Sequence, residues 1–278
     1  MRGNRAFWVL TAYVGLIGGI ISMVYISFQG GNASGSVAMR EELGQTIFYT
    51  VSALELLAIC FIAPSLTAGA ITDERDQQTF DLLRTTMLSA RDLVHGKLIS
   101  SVVFIVLLLF AALPLQSFAF LFGGVTMVEF VITVLILFIT AVSFSAMGLF
   151  FSSLVQRTRV STILAQSTSL VMLAGLPLIL LMSVLFLDFL RLNSIPWPLE
   201  FAGLISAWLL IALSPSAASV MSAVMLFEEQ SVLYSTASLS NGFNYIVPSP
   251  WTAYVLFSTL LTFLLLRWSI YRIQKHSE

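Results

Sequence analysis

Six apolar runs, each long enough to cross a membrane, constrain the fold of this chain more than any other feature. They cover about residues 6–28, 46–71, 98–122, 127–154, 162–187 and 252–270. A helix rises about 1.5 Å per residue, so about 20 residues cross a hydrocarbon core of about 30 Å. Only 10% of the residues are charged, against about 25% in ordinary soluble domains. We therefore predict an all-α polytopic membrane protein, with residues 1–278 forming a single transmembrane domain of six spans.

The basic residues predict how these spans are oriented. With the N-terminus in the cytoplasm, only Arg40 and Arg191 of the thirteen Lys and Arg residues fall outside, as the positive-inside rule requires. The inner set is Arg2, Arg5, Arg75, Arg84, Arg91, Lys97, Arg157, Arg159, Arg267, Arg272 and Lys275. The first run is longer than the apolar region of a signal peptide, roughly 7–15 residues, so we expect it to be retained. The prediction is a multi-pass protein of the inner (plasma) membrane with both ends in the cytoplasm.

Residues 191–250 break the pattern of long spans and are predicted to form an extracellular insertion. They contain five of the eight prolines. Two apolar pieces, 201–213 and 217–227, are shorter than the roughly 17 residues that a spanning helix needs, and Ser214-Pro215-Ser216 divides them. Counting them as a seventh span would move the C-terminal basic cluster to the outside. We expect short re-entrant or interfacial helices.

The longest charged interval, residues 73–97, separates the second span from the third and faces the cytoplasm in this topology. Phe80, Leu83 and Met87 recur at helical spacing, which predicts a short amphipathic helix. Ser89 and Asp92 form a capping-box-like start for a second helix that continues into the third span. We interpret the interval as a docking element for a soluble partner. The alternative is a solvated connector, but a connector needs only a few residues.

At this interval the chain resembles the permease subunits of ABC-2 type transporters. Those permeases show Glu-Arg, Gly-Thr, a Leu-Leu pair, a Thr-Pro-Leu-Ser-like turn and a Gly-Lys pair at the start of the third span. The matching residues here are Glu74, Arg75, Thr79, Leu82, Leu83, Leu88, Ser89, Gly96 and Lys97. The chain departs from the pattern at Gln78, where glycine is usual, and at Met87, where proline is usual. Residues 148–166, GLFFSSLVQRTRVSTILAQ, also resemble the corresponding family segment, and the spacing of the six spans extends the likeness over most of the chain.

The resemblance implies that this chain is the permease of an ATP-driven transporter. Since the family consists mainly of exporters, we expect an exporter. Two six-span subunits, identical or different, would pair, and each would place a cytoplasmic coupling helix in a cleft of a nucleotide-binding subunit that binds ATP and Mg. The implied coupling residues are Glu74, Arg75, Asp76, Thr79, Phe80, Leu83 and Met87, with Asp81 completing the polar rim. The alternative is a membrane-anchor or assembly subunit that uses the same scaffold without moving a substrate.

Catalytic, cofactor and metal sites are not expected in this chain. It has no GxxxxGK[ST] phosphate loop, and its one Gly-Lys pair, at Lys97, is followed by leucine. The ATPase must therefore be a separate chain. Glu228 and Glu229 lack the arginine and the later histidines of an intramembrane zinc protease, since the only histidines are His95 and His276. The absence of a basic stripe argues against nucleic-acid binding.

Several polar and special residues lie inside the apolar runs. Glu55 is an intramembrane candidate site, because an unpaired charge in a membrane is costly. It either faces the subunit interface or substrate path, or is protonated or bonded to Ser/Thr within the bundle. Pro64 is expected to kink the second span. Helix-packing hydrogen bonds are expected from Gln116, Gln166, Ser167, Thr168 and Ser169.

Overall fold

The computed structural model describes residues 3–30, 37–76, 90–189, 197–229, 232–238 and 244–275. Their helices are α1 (Gly3–Gly30), α2 (Val37–Thr67), α3 (Thr72–Asp76), α4 (Ala90–Phe122), α5 (Met127–Leu154), α6 (Thr158–Leu170), α7 (Leu176–Phe189), α8 (Trp197–Leu213), α9 (Pro215–Glu229) and α10 (Pro250–Lys275). A π-helical segment, Val171–Gly175, joins α6 to α7. Two strands, β1 (Tyr234–Ser238) and β2 (Asn244–Pro248), precede α10.

Among the described residues, six helices are long and apolar enough to cross a membrane, which confirms the predicted helical, multi-pass architecture. They cover Phe7–Phe28, Met39–Glu74, Arg91–Phe122, Met127–Leu154, Thr158–Leu185 and Pro250–Gln274. Each contains most or all of one predicted span. Helix α4 is described from Ala90 and runs without a break to Phe122, so a helix does continue into the third span, whereas its predicted start at Ser89 lies outside the described residues.

The insertion also contains a β hairpin, which the sequence analysis did not predict, within a fold that is otherwise helical. Strands β1 and β2 pair antiparallel, with Tyr234 opposite Pro248 and Ser238 opposite Asn244. Between the strands the sequence reads Asn241-Gly242, a dipeptide that strongly favours hairpin turns because both residues tolerate positive φ. The dipeptide is a local sequence signal for the hairpin.

The two short apolar pieces of the insertion form α8 and α9, which are bent by 113°. The bend lies at Ser214, whose Oγ accepts a hydrogen bond from the backbone N–H of Ala217 at 3.3 Å. Pro215 follows at the first helical position, where its missing N–H costs nothing. This is the geometry of a broken span or a re-entrant loop, so the pair does not form one straight seventh span.

Helix α5 lies at the centre of the bundle. Its residues contribute to three of the four apolar clusters that form the core: one with α2 and α4, one with the N-terminal part of α4 and the C-terminal part of α10, and one with α8, α9 and α10. The fourth cluster joins α1, α2 and α4. Helix α5 begins with a capping box, in which Thr126 Oγ1 accepts from the N–H of Glu129 and Glu129 Oε2 accepts from the N–H of Thr126.

The turn between α4 and α5 contacts the N-terminal part of α2 and so links three helices. Gly123 and Gly124 have φ angles of +86° and +85°, a conformation that residues with a Cβ rarely adopt. A Cβ on Gly124 would lie 2.3 Å from the carbonyl oxygen of Glu41. Gln45 of α2 donates from Nε2 to the carbonyl oxygen of Gly124 at 2.8 Å. The glycines therefore let α2 approach the turn and bond to it.

Candidate coupling region and intramembrane polar sites

An ion pair joins the two helices that flank the charged interval. Lys97 Nζ of α4 lies 2.6 Å from Glu74 Oε1 of α3, and the side chain of Lys97 is 38% exposed against 18% for Glu74. Arg75 and Asp76 complete α3. The predicted coupling residues Thr79, Phe80, Leu83 and Met87 lie outside the described residues, together with the predicted amphipathic helix and Asp81, so those assignments stay predictions.

The end of α5 holds the backbone at the C-terminal end of the second span. The N–H groups of Ile71 and Thr72 both donate to Ser152 Oγ, at 3.0 and 3.2 Å. Thr72 and Ser152 are fully buried. A buried backbone N–H needs such a partner where the helix has ended, so a single serine of α5 satisfies two donors at the break between α2 and α3.

The start of α6 holds the same segment from the other side. Ser161 Oγ donates to the carbonyl oxygen of Ala68 at 2.8 Å, and Thr158 Oγ1 donates to Asp73 Oδ1 at 2.9 Å. Sequence reasoning did not identify these serine and threonine residues individually. All lie in residues 148–166, the second segment that carried the family resemblance. The C-terminal end of the second span is therefore bonded to α4, α5 and α6 together.

A proline inside α2 explains two polar residues of α6. Pro64 has no N–H, so the carbonyl of Cys60, four residues earlier, lacks its helical donor. Gln166 Nε2 and Ser169 Oγ both donate to that oxygen, at 3.1 and 3.2 Å. The expected role of Gln166 and Ser169 as helix-packing hydrogen bonders is confirmed, and their partner is the acceptor that the proline leaves open. Thr168 bonds instead to the carbonyl of Leu164 in its own helix.

Helices α2 and α5 approach each other closely at Gly148. A Cβ there would lie 2.0 Å from Thr67 Oγ1 and 3.0 Å from the carbonyl oxygen of Pro64. These distances are far below ordinary van der Waals contact, so only glycine fits without movement of α2. The close approach places the proline-containing turn directly against the central helix.

Between the C-terminal end of α2 and the N-terminal part of α4 lies a cavity of about 600 Å³. Asp73, Glu74 and Lys97 line it together with Ser65, Ser100 and Ser101. Among the described residues, no group of three or more His, Cys, Asp or Glu side chains is placed to hold a metal ion. The cavity is a polar space beneath the attachment points of the charged interval, with ion-pairing and hydrogen-bonding groups at its wall.

Glu55 is buried in the membrane-spanning part of the bundle and is bonded there. It is 1% exposed, and its Oε2 accepts a hydrogen bond of 2.5 Å from Nε2 of Gln116, which is 0% exposed. Glu55 is therefore bonded within the bundle, as in the second of the two alternatives. Its partner, however, is the amide of Gln116 in α4 and not a Ser or Thr side chain. The expected hydrogen-bonding role of Gln116 is confirmed.

The apex of the α8–α9 pair reaches the fifth span at its π-helical segment. Ser216 Oγ donates to the carbonyl oxygen of Leu173, which lies within Val171–Gly175. A π-helical turn is wider than an α-helical turn and is frequent at functional sites. The π turn could not be predicted from the sequence, because its five residues, VMLAG, are ordinary apolar and small residues.

No protein-family model matches this sequence, and no curated protein matches it. The resemblance to ABC-2 permeases therefore depends on the motif residues and on the spacing of the spans.

Proposed function

We propose that this chain is the permease subunit of an ATP-driven ABC transporter of the exporter type. A separate nucleotide-binding subunit would hydrolyse ATP with Mg, and a second permease subunit would complete the membrane part. The proposal is supported by six apolar helices with a charged interval after the second, and by the motif residues around Glu74, Arg75 and Lys97.

The observation that carries the proposal is the rigid attachment of the charged interval at both of its ends. On the N-terminal side, α3 is bonded to Ser152 and Thr158. On the C-terminal side, α4 continues into the membrane without a break, and Lys97 pairs with Glu74. A push on the interval would therefore pass to α2, α4, α5 and α6 as a unit. A simple connector between two spans has no need of such bonding.

The distribution of burial supports a second permease subunit. In the first and fifth spans only 6% of the residues of the apolar stretch are buried, compared with 50% in the second span and 56% in the fourth. In α1 a Cβ at Gly15, Gly18 or Gly19 would meet no atom within 4 Å. These helices leave a broad apolar surface, with small residues in α1, that suits close packing of another membrane helix.

Replacing Phe80 and Leu83 with aspartate tests the coupling assignment. We expect the double variant to insert in the membrane but to lose co-purification with the proposed nucleotide-binding subunit, because a buried apolar contact would be replaced by two charges. The matched control, Phe80→Leu with Leu83→Met, keeps an apolar surface of similar size and should retain the ATPase. Equal recovery of the ATPase with the aspartate variant would refute the assignment.

Reconstitution of the complex in vesicles distinguishes the transporter hypothesis from the membrane-anchor hypothesis. A transporter should show ATPase activity that a candidate substrate stimulates, together with ATP-dependent movement of that substrate. A stable complex whose ATPase responds to no substrate would instead indicate the anchor or assembly subunit.

A further inference from the structure

A second cavity, of about 430 Å³, lies between α8 and the β hairpin. The described residues that line it belong to α8, between Phe201 and Ala212, to β2, and to the start of α10 at Ala253. None of them is charged, and all except Trp208 and Tyr245 have hydrocarbon side chains. The ring centroids of Phe201 and Tyr245 lie 5.3 Å apart, so an aromatic contact links the two sides. The cavity therefore suits an apolar occupant.

The wall of this cavity runs from exposed to buried residues. Ile205 and Leu209 line it and are 45% and 54% exposed, and a spacing of four residues places them on one face of α8. Ala212 and Val247 also line the cavity, but they are buried. The cavity is therefore open beside Ile205 and Leu209, and its apolar wall continues inwards from that opening.

The opening lies on a surface that contacts lipid chains. Helices α7 and α8 are in contact, and Ser216, just after α8, bonds to Leu173 near the centre of the fifth span, Thr158–Leu185. Helix α8 therefore lies alongside a membrane-spanning segment. On α7, apolar side chains such as Leu178 and Leu185 are more than half exposed. The apolar surface of the fifth span continues onto the exposed face of α8, and both meet the hydrocarbon of the bilayer.

The size and chemistry of the cavity favour a thin hydrocarbon chain over water or a helix. A buried water needs two to four polar partners, and an apolar cavity of about 150 Å³ already stays dry and takes up apolar molecules. One turn of a helix about 10 Å wide and 5.4 Å long fills about 420 Å³, so a volume of about 430 Å³ holds no more than that. A single acyl chain fits along the wall and gains dispersion contacts with it.

We propose that this cavity binds one acyl chain of a membrane phospholipid. The chain enters past Ile205 and Leu209 and lies against Trp208, between α8 and β2, while the head group stays outside. The bound chain packs the hairpin against α8. The site goes beyond the proposed function, since it needs neither ATP nor a partner subunit and its occupancy is measured on this chain alone.

The test uses phosphatidylcholine with a diazirine near the end of one acyl chain, and the same lipid with the diazirine on its head group. The protein is irradiated in nanodiscs that contain either probe, and crosslinked peptides are mapped by mass spectrometry. We expect the tail probe to label residues 201–212 and 245–248 at least about tenfold more per residue than Leu178 and Leu185, a difference equal to about 1.4 kcal/mol. The head-group probe should not reach residues 245–248 in this way.

Three tryptophan variants of neighbouring residues of α8 test the position of the chain. Leu204→Trp fills the cavity, since Leu204 is part of its wall, and should reduce tail labelling of residues 245–248 to the level of α7. Gly203→Trp is the control, because a Cβ there meets nothing within 4 Å and Gly203 is not part of the wall; labelling should persist. If Leu204→Trp does not fold, Ile205→Trp narrows the opening from an exposed position and should give the same loss.

Four outcomes would each overturn the proposal. The first is tail labelling of the wall that only equals that of Leu178 and Leu185, which indicates ordinary contact with bulk lipid. The second is labelling that the tryptophan in the wall leaves unchanged. The third is labelling by a diazirine fatty acid but not by the phospholipid. The fourth is crosslinking of the wall to a second copy of the chain in place of lipid.

Discussion

Gln166 and Ser169 both donate to the Cys60 carbonyl. We therefore predict that the losses of folding stability caused by replacing each of them do not add. Either donor alone can satisfy the carbonyl that Pro64 leaves open, so Gln166→Leu or Ser169→Ala should each cost little. Interhelical hydrogen bonds in membranes average about 0.6 kcal/mol, and we expect each single variant to stay at or below about that value. The double variant leaves a buried carbonyl without any donor, which costs about 1–3 kcal/mol.

Replacing Pro64 with alanine should remove most of this cost. The alanine N–H can donate to the Cys60 carbonyl within α2, so the carbonyl no longer needs α6. In the Pro64→Ala background, we expect the double variant Gln166→Leu/Ser169→Ala to cost no more than about 0.6 kcal/mol. The difference between the two backgrounds, about 1–2 kcal/mol, is within the range of couplings that double-mutant cycles resolve.

The assay is equilibrium unfolding in mixed micelles of mild detergent and dodecyl sulfate, followed by tryptophan fluorescence. Ser167→Ala is the matched control, because Ser167 is an exposed serine on the same helix. The reasoning is refuted if the costs of the two single variants add up to that of the double variant, or if Pro64→Ala leaves the cost of the double variant unchanged.

Three further predictions concern the same bundle. Gly148→Ala should destabilise the protein by about 1–3 kcal/mol, as overpacking commonly does, whereas Gly203→Ala, where a Cβ meets nothing within 4 Å, should be neutral or slightly stabilising in the same unfolding assay. Glu74→Lys and Lys97→Glu should each lower the ATPase activity of the assembled complex, and the charge-swapped double variant should recover most of it; no recovery would argue against a role for the pair in coupling. A cysteine introduced at Ser89 should react with a membrane-impermeant maleimide only from the cytoplasmic side, which is measurable because the native cysteine is buried, and labelling of intact cells would contradict the predicted topology.

The spans were predictable because membrane insertion depends on composition and length, which the sequence contains directly. The hydrogen-bond partners of the polar residues in these spans could not be predicted. A hydrogen bond between two helices depends on how each helix is shifted along its axis and rotated about it. Gln166 was expected to bond to another helix, but only the structure shows that its acceptor is Cys60. Likewise, the sequence placed Glu55 in a span without indicating that Gln116 of α4 lies at the same depth.

The candidate coupling region was predicted as a segment, while its attachment to the bundle was not. Charge density and helical spacing identified residues 73–97, whereas Ser152, Thr158 and Ser161 are common small polar residues with no distinguishing pattern. Their importance comes from where α2 ends in space, next to α5 and α6. The hairpin had a readable local signal at Asn241-Gly242, because turn chemistry depends only on neighbouring residues.

The contact between Ser216 and Leu173 has a consequence for how the protein is made. The fifth span is synthesised before the serine that bonds to its π-helical turn. Until that later segment docks, the Leu173 carbonyl lacks this donor. A chain that stops before residue 216 should therefore hold the span in a different, more regular form.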